Sequence, residues 1–231
     1  MTFRAVLASA CVLCVTLFSQ TPTVEITSEP LHHQIFQNAY VRVFKVEIAS
    51  HAATLMHRHH HDYFLVALSS AKLSNEASGK PPASLEIQQG EVRFAEGNFA
   101  HIDKNLGDQP FSYVTIEYLK DGEAHKSPPN WDEDRALHVH MKGTQDVLFV
   151  KDGIRVSDFQ LQPGGMVHNQ HHPGPRLVVA VSAVDIRSSM AGKSTPIQLK
   201  SGEVMWLKGG TTDMLMNAGK EPARWITLEF R

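Results

Sequence analysis

The sequence predicts an all-β protein built as two tandem antiparallel barrels. Three observations predict it: the chain repeats itself, its β-branched and aromatic runs are short and broken by turn clusters, and no stretch carries the periodicity of a long helix. Sliding the sequence over itself by 113 residues lays Val41–Ile48 ("VRVFKVEI") over Ile154–Leu161 ("IRVSDFQL"), and "FLVALS" over "LVVAVS". After a one-residue deletion the offset is 112. Gly90 then falls on Gly202, Asn105 on Asn217, Pro110 on Pro222, and "VTIE" from Val114 on "ITLE" from Ile226. The turn clusters Gly79-Lys80-Pro81-Pro82, Gly107-Asp108, Pro163-Gly164-Gly165 and Gly219-Lys220 punctuate both copies.

In chain order, residues 1–19 read as an export signal. Arg4 precedes an apolar run from Ala5 to Phe18 that ends in Ser19-Gln20, and the run is shorter than the roughly 20 residues that cross a bilayer. Cleavage after Ser19 would release a periplasmic or secreted protein; an uncleaved tether is the alternative. Cys11 and Cys14 both lie inside this run, so the processed chain would carry no thiol and no disulfide. Residues 24–119 form the first barrel, 120–137 a polar linker containing Ser127-Pro128-Pro129, and 138–231 the second barrel. Each copy is long enough to bury its own core.

The 231-residue chain has a net charge of −2, a pI near 6.7 and no basic run. This argues against nucleic acid, and against a membrane surface once the signal is removed, leaving a small molecule as the expected partner. Alternation supplies a further expectation. If His57, His59 and Tyr63 point into the first barrel with Leu65 and Ala67, then Phe64, Val66 and Leu68 face outward. The second copy repeats that apolar outer face with Leu177, Val179 and Val181. These faces must be covered by the other barrel or by a second subunit, which would make the protein a homodimer.

The chemistry concentrates in "TLMHRHHHDYFLVALSS" and "GEVRFAEGNFAHIDKN". His57 and His59, two apart on a strand, project to one side roughly 7 Å apart and can reach one cation. His101 follows the turn Glu96-Gly97-Asn98, where the chain can double back to face them.

These motifs resemble those of the cupins, and the double copy resembles a bicupin, which implies two double-stranded β-helix (jelly-roll) barrels. The first cupin motif is matched by His57 and His59, with Tyr63 where glutamate is expected and Ser70 where glycine is expected. The second is matched by Gly90, His101 and Asn105, with Glu96 for proline and Asn98 for glycine. The resemblance implies a metal held by His57, His59 and His101. Without the acidic ligand, three neutral imidazoles leave the ion its full charge and favour Fe(II) or Zn, with Ni or Cu as further options, over Mn. Tyr63 is then placed to hydrogen-bond a bound ligand or simply to fill space. His61 could stand in for the missing carboxylate; Asp62 points away unless a bulge intervenes.

In the second copy His57 becomes Gln170, His59 stays as His172, Tyr63 becomes Arg176 and His101 becomes Asp213. A degenerate structural barrel is expected there. The alternatives are a site rebuilt from His168, Gln170, His172 and Asp213, or an anion held by Arg176. His138 and His140 share strand spacing but have no third ligand in view, and His32-His33 read as exposed histidines at the start of the first barrel. The function expected is an exported metal-binding bicupin with a small-molecule pocket in its N-terminal barrel. Three-histidine cupins resemble the thiol and diketone dioxygenases, so a non-haem iron dioxygenase is the first enzymatic reading. The alternatives are a Zn-dependent hydrolase or isomerase, with Glu96, Asp103 or Glu117 as base, or a non-enzymatic envelope protein that binds metal or ligand.

Overall fold

A computed structural model describes residues 22–120, 136–190 and 192–230. The expected export signal and almost all of the expected linker lie outside these residues. What is described is nearly all strand, with one 3-10 turn at Ile26–Ser28.

The N-terminal barrel contains β1 (Val24–Glu25), β2 (His32–Gln37), β3 (Val41–Ile48), β4 (His57–His59), β5 (Tyr63–Ala67), β6 (Ala71–Ala77), β7 (Ala83–Ile87), β8 (Val92–Ala95), β9 (Phe99–Asn105) and β10 (Phe111–Tyr118). They form two five-stranded sheets, β1-β4-β9-β6-β7 and β2-β3-β10-β5-β8. Every pairing is antiparallel except the short one between β1 and β4. The C-terminal barrel contains β11 (Ala136–Lys151), β12 (Ile154–His172), β13 (Arg176–Ala180), β14 (Val184–Met190), β15 (Lys193–Leu199), β16 (Val204–Leu207), β17 (Thr211–Asn217) and β18 (Ala223–Phe230). These form one antiparallel sheet in the order β15-β14-β17-β12-β18-β13-β16, with β11 paired to β12.

Register shows how closely the two barrels repeat. His32 pairs with Val46 as Gln145 pairs with Phe159, and the bulge between Gln34 and Phe36 recurs between Val147 and Phe149. His57 pairs with His101 as Gln170 pairs with Asp213. Tyr63 lies between Ala95 and Glu117 as Arg176 lies between Leu207 and Glu229. The long β12 merges what are two strands in the first copy: its first half pairs with β18 and its second half with β17, the roles that β3 and β4 take against β10 and β9.

Two asparagines close equivalent corners. Asn105 donates from Nδ2 to the carbonyls of Ile48 and Gln109, and its Oδ1 accepts from the Gly107 amide. Asn217 does the same with Leu161, Glu221 and Gly219. Both are buried, so each satisfies backbone groups that would otherwise be stranded away from water.

Three apolar clusters hold the molecule together. One fills the N-terminal barrel around Phe44, Leu65, Ile87 and Tyr113; another fills the C-terminal barrel around Phe159, Leu161, Leu215 and Trp225. The third and largest joins the barrels, packing Phe64, Val66 and Leu68 of one outer sheet against Leu177, Val179 and Val181 of the other. The apolar outer faces read from alternation therefore cover each other within one chain.

Charged side chains seal the seam from both sides. Arg224 donates to the Gln89 carbonyl at 2.9 Å and lies over Gly90, while Lys45 donates to the Ser201 carbonyl at 3.3 Å and lies over Gly202. These two glycines have φ of +79° and +81°, and a Cβ on either would collide with the side chain from the other barrel.

Phe64, 1% exposed and at the centre of the shared cluster, is expected to cost about 3–5 kcal/mol when replaced by Ala. Urea unfolding of Phe64→Ala should show both barrels losing stability in one transition. An unchanged midpoint would refute the account of a shared core.

Candidate metal centre

Strands β4 and β9 pair directly, and their register sets His57 opposite His101, with His59 two residues along on the same face. Asn98, in the left-handed region at φ +61°, turns the chain between β8 and β9, and its amide donates to the His59 carbonyl at 2.7 Å. Asp62 accepts from the Gly97 amide at 2.8 Å, and the Gly97 Cα packs against the His61 backbone. The carboxylate of Asp62 thus fastens the turn that delivers His101.

The three sequence-identified histidines come together in the barrel interior. Ring centroids lie 4.4 Å apart for His57 and His101, 5.1 Å for His57 and His59, and 5.2 Å for His59 and His101. All three rings are buried. A fourth ring joins them: His32 of β2 lies 4.6 Å from His57 and 6.3 Å from His59. One nitrogen from each of His32, His57 and His59 lies within 4.8 Å of the other two. The expectation of an exposed histidine at position 32 is therefore corrected. Gln34, two residues on and exposed, gives no sign of the inward turn that buries His32, which closes against the 3-10 turn through Glu29.

Each ring has an orienting partner. Nδ1 of His57 donates to the Leu55 carbonyl at 2.9 Å, and Nδ1 of His101 lies 2.7 Å from Asn75, which also donates to Asp103. Nδ1 of His32 lies 2.7 Å from the Glu29 carboxylate. Glu117 stands 3.6 Å from Nδ1 of His59 and is itself held by Arg42 at 3.4 Å. Buried and without a hydrogen-bond partner are Nε2 of His57, Nε2 of His101 and Nδ1 of His59.

Burial, reinforced by neighbouring His101 and His32, lowers the pKa of His57 to about 4. His59 falls well below the ordinary range for the same reasons. Burial would raise Asp103, but His101 and the hydrogen bond from Asn75 hold it at about 2. For Tyr63 burial pushes the phenol far up, with Asp103 and Glu117 adding to it, so the hydroxyl stays protonated. Its ring stacks on His59 at 4.0 Å.

Neutral rings with orphaned nitrogens are the donor set a divalent ion needs. The charge around them fits as well. Among the described residues the N-terminal barrel buries three carboxylates, Glu29, Asp103 and Glu117, and of these Glu117 alone meets an arginine. Two negative charges remain for a dication to offset. The carboxylate missing from position 63 is thus replaced by carboxylates one layer out, which alters the expectation that a bound ion keeps its full charge.

The second barrel uses the same positions with the opposite outcome. His172 lies 3.3 Å from Asp213 and 3.7 Å from Glu229, while Arg176 pairs with Asp213 at 3.0 Å and Arg155 with Glu229 at 2.6 Å. Burial would raise both carboxylates, but His172 together with Arg176 or Arg155 holds them low. Asp158, the remaining buried carboxylate there, pairs with Arg224 at 2.9 Å. Gln170 donates to Gln145. Each acid has its own guanidinium, and the interior cavity beside Arg176 is about 20 Å³. That space is too small for an organic anion, and the arginines already offset the carboxylates that a cation would need.

The first barrel is open by comparison. A cavity of about 190 Å³ reaches Tyr63, Asn75, His101 and Asp103 between walls that include Leu73, Ile87 and Phe99. It adjoins an outer cavity of about 670 Å³ that carries Lys80, Glu96 and Lys151. Glu96 is exposed there, whereas Asp103 and Glu117 are already engaged with the histidine cluster.

No protein-family model and no curated protein sequence matches the chain. Solved structures match its fold. A Bacillus subtilis oxalate decarboxylase, described for its Mn(II) centres, shares 12% identity at a TM-score of 0.61, covering 84% of this chain and 69% of its own. The formate complex of a Lactobacillus farciminis oxalate decarboxylase shares 14% at 0.60, with 87% and 84% covered. AerE from Microcystis aeruginosa shares 11% at 0.58, with 88% and 98% covered. At these identities the likeness shows the fold alone, that of two tandem cupin barrels.

Two outcomes test the electrostatic account. In metal-free protein His57 has a pKa near 4 against the ordinary 6.5 of an exposed histidine, so the unfolded chain takes up its proton first as pH falls. His57 therefore contributes stability that is complete above about pH 6.5 and lost towards pH 4, on the order of 3 kcal/mol. Over that interval the urea midpoint of the parent should fall more steeply with pH than that of His57→Gln; parallel curves would contradict it. In the second barrel, Arg176→Met strands the Asp213 carboxylate and should cost about 3–5 kcal/mol, with Arg176→Met/Asp213→Leu recovering most of it in the same assay.

Proposed function

We propose that this protein is an exported, metal-dependent oxidoreductase that acts on a small organic molecule in its N-terminal barrel, as a non-haem iron dioxygenase. The observation that carries the reading is the cluster of buried imidazoles in which Nε2 of His57 and Nε2 of His101 have no partner, with His101 lining a cavity of about 190 Å³. His57, His59 and His101 would hold the metal. An all-imidazole donor set suits Fe(II) or Zn better than Mn, although a neighbour of this fold is described for its Mn(II) centres. A divalent ion supplies Lewis acidity and, as Fe(II), the electrons for reaction with dioxygen.

The remaining steps belong to side chains. Leu55 fixes the tautomer of His57 by accepting at Nδ1, leaving Nε2 as the donor atom. At His101 the acceptor is Asp103, whose carboxylate lies 3.5 Å from Nδ1 and is itself held by a donation from Asn75. Tyr63, protonated and stacked on His59, offers its hydroxyl at the inner cavity, where it can donate to a substrate oxygen. The apolar walls exclude water from that end and accept a carbon skeleton. Lys80 and Lys151 at the outer cavity favour a substrate with an anionic or strongly polar end. Engagement of Asp103 and Glu117 with the histidine cluster leaves neither carboxylate as a free base, which favours oxidation over the hydrolytic alternative.

Elemental analysis of untagged protein should find close to one equivalent of Fe or Zn per chain, and His101→Ala should reduce it at least about tenfold. Iron-loaded parent should consume oxygen with a small thiol or β-diketone, and Tyr63→Phe should slow turnover about tenfold or more while leaving metal content unchanged. Turnover with zinc and no oxygen would replace this reading with hydrolysis. Metal bound without turnover of either class would leave a binding protein.

A further inference from the structure

We propose that His32 is a fourth metal-binding residue of the N-terminal barrel, completing an all-imidazole set with His57, His59 and His101, and that Glu29 is its positioning carboxylate. The inference rests on the metal-binding reading above and goes beyond it, because position 32 lies outside the motifs that identify the other three. Four observations support it.

First, placement: His32 is 6% exposed, on a different sheet from β4 and β9, and offers a nitrogen to the same small volume as His57 and His59.

Second, orientation. The Glu29 Oε2 atom lies 2.7 Å from Nδ1 of His32, and also accepts the amides of Leu31 and His32 at 2.8 and 3.1 Å. Glu29 Oε1 accepts the Leu55 amide at 3.1 Å, and the Leu55 carbonyl is the group that fixes His57. One carboxylate therefore sets the angle of His32 and ties it to the segment that orients the first ligand. A carboxylate on the far nitrogen of an imidazole raises its basicity as a ligand. A histidine filling space would require none of this.

Third, charge: among the described residues Glu29 is one of the two buried carboxylates in this barrel that pair with a histidine and not with an arginine.

Fourth, covariation inside the chain. The internal repeat places Gln145 where His32 stands, in the same register and before the same bulge. In the second barrel the pair His32 and His57 has become Gln145 and Gln170, hydrogen-bonded to each other. The barrel whose carboxylates are neutralised by arginines has lost both imidazoles together. Position 32 follows the metal-capable character of the barrel, as position 57 does.

The test uses the full chain and Co(II) as a spectroscopic probe. Titration gives the dissociation constant, and X-ray absorption at the cobalt edge gives the imidazole count. The parent should bind one equivalent with four imidazoles. His32→Gln, which installs the residue the second barrel uses, should show three and a dissociation constant at least about tenfold higher. Glu29→Gln should keep four and weaken binding about 10–100-fold. Circular dichroism and the metal-free Tm report folding, and if His32→Gln does not fold, Glu29→Gln decides: affinity equal to that of the parent overturns the proposal. Unchanged affinity and count in His32→Gln overturn the role of His32 alone. A parent that binds no Co(II) overturns this proposal and the metal reading beneath it.

Discussion

Packing neutral imidazoles ring against ring inside a barrel sets nitrogen lone pairs facing one another in a dry interior, and the N-terminal half of this molecule is organised around that repulsion. No protein group donates to Nε2 of His57 or Nε2 of His101. Protonation is no remedy, because burial and the neighbouring rings hold His57 near pKa 4. A cation at the centre would satisfy the nitrogens and, at the same time, the carboxylates of Glu29 and Asp103 that stand behind the rings. Preorganisation of this kind raises the free energy of the metal-free state, and binding returns it.

The C-terminal barrel is the internal control for that argument. It has the same strand order around the site, the same asparagine corner and the same His–Glu pair in His172 and Glu229. Yet Arg176 occupies the position of Tyr63, and its guanidinium sits against Asp213, which occupies the position of His101. A covalently attached cation takes the electrostatic role that a diffusible one would take in the first barrel. With a cavity of about 20 Å³ against about 190 Å³, the second barrel has exchanged a site for a filled core. Its large apolar outer face remains and supports the sheet that carries β5 and Tyr63.

Much of this was legible in the sequence, and what was not has a physical cause. The double barrel follows from the 113- and 112-residue offsets, and the inter-barrel core follows from strict alternation in "FLVALS" and "LVVAVS", since a period of two assigns every residue to a face. The meeting of His57, His59 and His101 was expected from the spacing of the first two, the turn before the third and the resemblance to the two cupin motifs, and the β4–β9 register brings it about. His32 was not legible. It sits on a short strand whose other residues are mostly exposed, so no alternation marks its side as inward. Glu29 was hidden for a related reason: a buried carboxylate is recognised by its partners, and the partner here is a ring three residues away inside a turn. The one trace was Gln145 at the repeat position, a polar residue matched to a polar residue, which carries no signal of burial before the structure is seen.

Asymmetry between the copies also limits where chemistry can occur. Tyr63 opens β5 as Arg176 opens β13, and in the first barrel the cavity beside Tyr63 adjoins an outer space bearing Lys80 and Lys151. Lys151 comes from β11, the first strand of the second barrel, and its ammonium lies 4.9 Å from the ring centre of Phe94, which borders both cavities. The degenerate barrel therefore contributes a charged group to the entrance of the intact one. Because the two halves share a single apolar core, that lysine is held in place by packing rather than by a flexible tether. The second barrel thus gives the first two things: a backing for the sheet behind the histidines, and a lysine that lines the outer cavity.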